Sequence, residues 1–198
     1  MKTYLASRNA DKLRELQAIF GRAAIRPLAY RKYSEVVEDA DSYAGNALLK
    51  AHSLAATLLA SGIEASALAD DSGLEVESLG GRPGIHSARY GGPDLPWPER
   101  RAALLQELRG FPPHLRKARF VCVLALIEPG HEPVVVTGDV RGFILETESG
   151  SGGFGYDPIF LHPPSGRSFA SLTEKEKNAV SHRRRAADAL LKVLQARE

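Results

Sequence analysis

Two adjacent carboxylates, Asp70 and Asp71, followed by Ser72 and Gly73, close the apolar run that starts at Ala67. Apolar alternation resumes at Leu74 and Val76. Carboxylates accept protons from water and bind hard divalent cations, so paired carboxylates are candidates for both tasks. The pattern predicts a buried strand that delivers the pair into a tight turn, with Gly73 free to take positive φ. Successive strand residues face opposite ways, so the two carboxylates are expected in different environments, one structural and one facing a cleft. Asp-Asp-Ser-Gly is also ordinary turn composition, and the tetrapeptide acquires meaning only from its company.

Four other stretches could keep that company. Ser7-Arg8-Asn9-Ala10-Asp11-Lys12 separates an opening strand, Met1 to Ala6, from a helix with Leu13, Leu16, Ile19 and Phe20 on its apolar face and a stop at Gly21. A helix N-terminus beside a lysine suits an anion such as a phosphate. An acidic loop holding Glu35, Glu38, Asp39 and Asp41 precedes the second helix; most of its carboxylates are expected in solvent, and one becomes a metal ligand if the loop folds toward Asp71. Gly150-Ser151-Gly152-Gly153-Phe154-Gly155-Tyr156-Asp157-Pro158 contains a literal GxGxxG. Pro158 and then Pro163-Pro164 forbid the helix that a dinucleotide fingerprint must open, so the stretch reads instead as a loop presenting aromatic rings for base stacking. Finally, Lys177 and Ser181-His182-Arg183-Arg184-Arg185 gather cations near the C-terminus. On one continuous helix Lys177 and His182 would stand about 140° apart. Both reach one ligand only if the helix breaks, with Ser181 capping the second piece.

The elements that must position these residues are legible. Ile25 to Tyr30 reads as a short strand. A second helix begins at an Asp41 or Ser42 cap and carries Ala44, Ala47, Leu48, Ala51, Ala55, Leu58 and Leu59. A third spans about Trp97 to Leu108, opened by Pro98. Ala118 to Ile127 and Val134 to Ile144 are long β-rich runs around Glu128-Pro129-Gly130 and read as a hairpin of central strands. Thr173 and Glu176 fit a capping box ahead of the C-terminal helices.

Composition sets outer bounds. The 198 residues suit a single domain, 1–198, with 43% hydrophobic and 25% charged residues, as in ordinary globular proteins. A formal net charge of +2 creates no field that demands nucleic acid or a membrane. Cys122 is the one cysteine, which excludes an intrachain disulfide and fits a reducing compartment. With no leading apolar signal core and no span-length apolar run, the expectation is a soluble cytoplasmic protein.

Together the stretches form a site for a nucleotide polyphosphate. They also resemble the inosine triphosphate pyrophosphatase family over nearly the whole chain. The resemblance rests on Ser7-x-Asn9-x-x-Lys12, Tyr43-x-x-Asn46-Ala47-x-x-Lys50-Ala51 and Ala69-Asp70-Asp71-Ser72-Gly73-Leu74. It continues through Gly80-Gly81-x-Pro83-Gly84-Ile85-x-Ser87-Ala88-Arg89-Tyr90 and Gly152-Gly153-Phe154-Gly155-Tyr156-Asp157-Pro158. It closes on Leu172-Thr173-x-x-Glu176-Lys177 and Ser181-His182-Arg183. The resemblance implies an α/β fold, an elongated mixed β-sheet flanked by helices, with two lobes around a central substrate cleft, usually as a homodimer. It implies hydrolysis of ITP, dITP or XTP to the monophosphate and pyrophosphate, with Mg²⁺ as cofactor. By matching positions, Asp71 would be the proton acceptor and a metal ligand, and Glu38 the second metal carboxylate. Ser7, Arg8, Asn9, Ala10, Asp11, Lys12 and Ser72 would hold phosphates. Phe154, Gly155, Tyr156, Asp157, Lys177, His182 and Arg183 would hold base and sugar.

Physical chemistry supports those roles independently. Mg²⁺ typically takes one or two protein carboxylates plus phosphate oxygens. A donor aimed at the purine O6 accepts a keto group and meets the amino group of adenine unfavourably. Two departures from the family pattern stand out: Arg8 where glycine is frequent, and Gly45 before Asn46 where a larger residue is frequent. The rival readings are a Maf-like nucleotide pyrophosphatase, which lacks the Gly-Gly-Phe-Gly-Tyr-Asp and Ser-His-Arg blocks, and a nucleic-acid-binding module built on Arg183 to Arg185 with Lys175 and Lys177. The second leaves the acidic stretches unexplained, because carboxylates repel phosphates without a metal.

Overall fold

A computed structural model of the chain describes residues 2–21, 23 and 25–197. Met1, the start of the expected opening strand, lies outside the described residues. In chain order the elements are β1 (Thr3–Leu5), α1 (Ala10–Phe20), β2 (Pro27–Ala29), α2 (Tyr43–Ala60) and β3 (Ser66–Val76). They continue as α3 (Trp97–Glu107), β4 (Lys117–Ile127), β5 (Val134–Ile144), β6 (Phe160–His162), β7 (Arg167–Ser168), α4 (Glu174–Val180) and α5 (His182–Gln195). The strands form one sheet in the order β2-β1-β3-β4-β5-β6-β7. β1 runs parallel to β2 and β3, whereas β6 is antiparallel to β5 and β7, so the sheet is mixed and the fold is α/β. Among the described residues no helix is long and apolar enough to cross a membrane.

Local side-chain chemistry starts the helices where expected. Ser42 accepts from the Gly45 amide at the head of α2, and Ser181 accepts from the Arg184 amide at the head of α5. Thr173 and Glu176 exchange hydrogen bonds with each other's backbone amides, a capping box for α4. The C-terminal helix therefore breaks at Ser181. The residue before Asn46 has a steric reason to be glycine, since a Cβ on Gly45 would stand 2.6 Å from that of Ala40.

One expectation is corrected. Asp70 to Gly73 do not form a turn; they lie inside the continuous strand β3, and Gly73 is not among the glycines with positive φ. β3 sits between β1 and β4 in the sheet. β1 pairs only with Ser66 to Leu68, so it is the continuity of β3 beside β4, and not pairing on both sides, that outweighs the local turn preference of Asp, Ser and Gly.

The chain divides into two compact units, one of residues 1–71, 122–138 and 181–198, the other of residues 72–121 and 139–180. The first packs Leu5, Leu16, Phe20, Leu68, Leu124 and Leu190 into its core. The second is built around Leu74, Leu104 and Val140 together with the rings of Phe120, Phe160 and Phe169, whose centroids lie 4.6–5.9 Å apart. Such rings bury large apolar area in defined geometry, which gives the second unit a rigid floor.

Candidate active site

In the first unit the parallel register of β1 and β3 does the positioning. Leu5 pairs with Leu68, and the chain then leaves β1 through Ser7 to Asn9 into α1. Ser7 accepts from the Asn9 amide, and the Asn9 carboxamide accepts from the amides of Asp11 and Lys12. The Arg8 amide donates to Glu35 at 3.4 Å. Lys12, in the first turn, forms an ion pair with Asp70, two residues beyond Leu68 on β3. Ala10 is exposed, and Asp11 pairs with Arg14 at 2.8 Å.

Asp70 is 1% exposed and carries a second cation, Arg183, whose Nε donates to Oδ2 at 3.1 Å. Arg183 also donates from Nη1 to Glu15 at 3.0 Å, tying α5 to α1. Burial alone would raise the Asp70 pKa, but Lys12 and Arg183 outweigh it and hold the carboxyl well below its usual range. Asp70 is thus a permanent anion and a poor base. The Cys122 thiol donates to the same carboxylate at 3.2 Å, and burial followed by that negative charge pushes the thiol up.

Asp71 faces different partners. Lys50 lies on the buried face of α2 with Asn46, Ala47, Leu54 and Leu58, and its ammonium donates to Asp71 Oδ1 at 3.0 Å and to Glu38 Oε1 at 2.8 Å. Asn46 accepts from the Ala40 amide, so two α2 side chains fold the acidic loop inward and select Glu38 from its four carboxylates. Burial would depress Lys50, yet Asp71 and Glu38 raise it, so the ammonium stays charged. One ammonium then serves two carboxylates and leaves one net negative charge. Burial, only partly offset by Lys50 and Lys12, raises the Asp71 pKa, and Glu38 adds to the rise. Asp71 Oδ2 is buried and has no hydrogen-bond partner among the described residues. An acceptor-only oxygen of that kind, beside excess negative charge, fits a hard cation that takes carboxylate oxygen. Among the described residues no group of three or more His, Cys, Asp or Glu gathers as a self-sufficient metal site.

In the second unit the glycine-rich loop is built around Asp157. Its Oδ2 accepts from the Phe154 amide at 2.8 Å and from the Lys177 ammonium at 2.5 Å. The same ammonium stands 4.8 Å from the centroid of the Phe154 ring. The buried Tyr156 donates its hydroxyl to the Ser87 carbonyl at 3.1 Å and packs edge-on against Trp97, and burial raises its pKa. Gly153 has φ +68°, and a Cβ there would run into the Asp157 carboxylate. Gly153→Ala is therefore expected to destabilise the protein by about 1–3 kcal/mol through strain and a displaced Asp157. Urea unfolding checks it; an unchanged midpoint would show that the loop relaxes freely.

The comparisons with known proteins decide the family. The Ham1 family model matches residues 3–193. The chain belongs to the Ham1 family. A dITP/XTP pyrophosphatase of Geobacillus kaustophilus is 42% identical over 189 residues, covering 94% of this chain and 90% of its own. One of Bacillus subtilis is 38% identical over 195 residues, covering 97% and 96%. Among solved structures, the Staphylococcus aureus Ham1 protein matches with TM-score 0.85 and 34% identity over the whole of both chains. A HAM1 protein from Coxiella burnetii matches with TM-score 0.86 and 36% identity over 99% of each.

Within this Ham1 chain, Lys12, Glu38, Asp71, His182 and Arg183 fall in the first unit with the Ser7 to Asp11 loop, while Ser72, Phe154, Gly155, Tyr156, Asp157 and Lys177 belong to the second. Arg183 is committed to Asp70 and Glu15, and Arg184 to Asp188, which removes the core of the basic patch that a nucleic-acid module would need. Two residues with central roles carried no assigned function in the sequence reading, Lys50 and Glu15. Lys50 had a signal: a lysine on the apolar stripe of a helix is buried, and a buried ammonium needs a carboxylate.

Proposed function

We propose that this chain, residues 1–198 acting as one domain, hydrolyses ITP, dITP and XTP to the nucleoside monophosphate and pyrophosphate. The observation that carries the reading is Asp71: a buried carboxylate with raised pKa, one oxygen unpartnered among the described residues, beside Glu38 and Lys50. Relatives that are about two-fifths identical over nearly their whole length and are named dITP/XTP pyrophosphatases support the substrate class.

In this reading Asp71 orients the attacking water and takes its proton, a role that a raised pKa favours. Asp70, fixed as an anion, anchors Lys12 beside it, and Lys12 with the Ser7 to Asp11 loop and Ser72 receives the polyphosphate. Phe154 offers a ring for the base, with Lys177 and Asp157 setting its orientation, whereas Tyr156, bonded to the Ser87 carbonyl, and Arg183, bonded to Asp70 and Glu15, act as structural supports and not as direct contacts. A donor presented to O6 admits hypoxanthine and xanthine and disfavours adenine. Asp71 and Glu38 would hold Mg²⁺, which when bound offsets charge on the polyphosphate and polarises water. Homodimerisation, which rests on the family resemblance, and a cytoplasmic location, which rests on the single cysteine and the lack of a leading apolar core, belong to the same reading.

Pyrophosphate release from ITP, XTP, GTP, ATP and the pyrimidine triphosphates tests the proposal. Release from ITP and XTP is expected to exceed that from ATP by at least about 100-fold in kcat/KM. Addition of EDTA is expected to abolish it and excess Mg²⁺ to restore it. Preferential hydrolysis of pyrimidine triphosphates would transfer the assignment to the Maf-like reading.

A further inference from the structure

Arg101 lies on α3, outside every motif that carries the family resemblance, and its side chain is 10% exposed. Its Nη1 donates to the Gly155 carbonyl at 2.9 Å, at the position between Phe154 and Tyr156. Its Nε and Nη2 grip the Glu148 carboxylate in a two-pronged pair at 2.7 and 3.1 Å. One guanidinium thus joins the leg by which the chain enters the glycine-rich loop to the loop's apex. The fork geometry of arginine makes such a double attachment directional, which the point charge of lysine does not.

The rest of the α3 N-terminal turn completes the mount. Gly155 has φ +64°, and a Cβ there would sit 3.7 Å from the Trp97 ring, which in turn packs edge-on against Tyr156 at 5.4 Å. Arg100, 3% exposed, donates to the carbonyls of Gly92 and Leu95 at 2.9 and 2.6 Å and fixes the segment that leads into the helix. The half-buried Phe154 of the loop and the buried Lys177 of α4 meet at Asp157, and the loop has no covalent reason to hold a fixed attitude. The attachment to α3 supplies one.

We propose that Arg101 is a positioning residue for nucleobase recognition, holding the Gly155 peptide so that the Phe154 to Asp157 loop presents a preformed surface to the purine. The inference rests on the functional reading above and adds a specificity determinant to it. Arg101 touches neither substrate nor metal; it acts through Gly155 and Glu148.

Trp97 is the chain's one tryptophan and lies against this loop, so its fluorescence reports loop state without any turnover. Titration with IMP is expected to change Trp97 emission saturably. Arg101→Gln is expected to weaken IMP by about tenfold and to lower the ITP/ATP ratio of kcat/KM by about tenfold, because small misplacement of a recognition surface is costly, while kcat at saturating ITP changes much less. Arg101→Lys, which can reach one acceptor, should recover part of the ratio. Glu148→Gln retains the Gly155 bond and should shift both readouts the same way by a smaller factor, and it serves if Arg101→Gln does not fold. Arg116→Gln is the control: this arginine is equally buried and bonded to the carbonyls of Leu108, Ile144 and Leu145, none of them in the loop. An unchanged ITP/ATP ratio and IMP affinity in Arg101→Gln, or an equal loss in Arg116→Gln, would overturn the inference. Absence of an ITP preference in the unsubstituted enzyme overturns the functional reading itself, and this inference with it.

Discussion

Asp71→Asn is expected to reduce pyrophosphate release from ITP by about 10²–10⁴-fold in kcat while leaving the protein as stable as before, or slightly more stable. The two halves of that result come from one cause. Burial raises the Asp71 pKa despite Lys50 and Lys12, so the folded protein holds the charged carboxylate at a cost. An amide of the same shape removes that cost and can still accept from Lys50 through its oxygen. It cannot take a proton from water, nor offer a negative oxygen where Oδ2 now stands without a partner among the described residues. Activity of the unsubstituted enzyme should rise with pH as Asp71 ionises, through a value above the ordinary carboxylate range. Rates across the substrate panel together with urea denaturation measure both halves. A variant that keeps its rate would leave the family membership standing and remove Asp71 from the role of base.

Arg183→Met is expected to have the largest effect on stability, about 3–5 kcal/mol. Its guanidinium joins Asp70 on β3 to Glu15 on α1 from the first turn of α5, and all three side chains are almost wholly buried. Deleting the cation leaves Glu15 and part of the Asp70 charge uncompensated in a medium that solvates them poorly. The double variant Asp70→Asn, Arg183→Met should recover part of the loss, which a cavity alone would not allow. The pH dependence carries the same signature. Asp70 has a folded-state pKa well below its unfolded value, so the stability it contributes is fully present above about pH 4 and is lost as pH falls below that toward the folded value. Removing Arg183 raises the folded value and shrinks this contribution, so the advantage of the unsubstituted protein over the variant should narrow in acid. A loss below about 1 kcal/mol at neutral pH would show that this network is not what ties α5 to the sheet.

How far the site was legible in sequence depended on the distance over which each interaction acts. The starts of α2, α4 and α5 were readable because Ser42, Thr173 with Glu176, and Ser181 act on amides three residues away. The break at Ser181 was legible only as a condition, because helical geometry sets Lys177 and His182 about 140° apart and one ligand could meet both only across a break. The aromatic glycine loop was also readable, since Pro158 with Pro163-Pro164 excluded a long α-helix there, and only single 3₁₀ turns form at Asp157–Ile159 and Pro163–Ser165. The turn expected at Asp70 to Gly73 failed for the converse reason: local propensity is weak, and the continuation of β3 beside β4 overrode it.

From the sequence alone came the family, the α/β character, the main elements and the prediction that Asp70 and Asp71 occupy different environments. The period of two along a strand determines that separation, and it needs no partner to act. Only tertiary structure decided which carboxylate became the fixed anion and which the strained one. Asp70 meets Lys12 and Arg183, Asp71 meets Lys50 and Glu38, and Arg101 meets Gly155, across separations of 21 to 113 residues. Charge pairing in a buried site depends on distance and on solvent exclusion, and both exist only once folding has brought α1, α2 and α5 to Asp70 and Asp71 on β3.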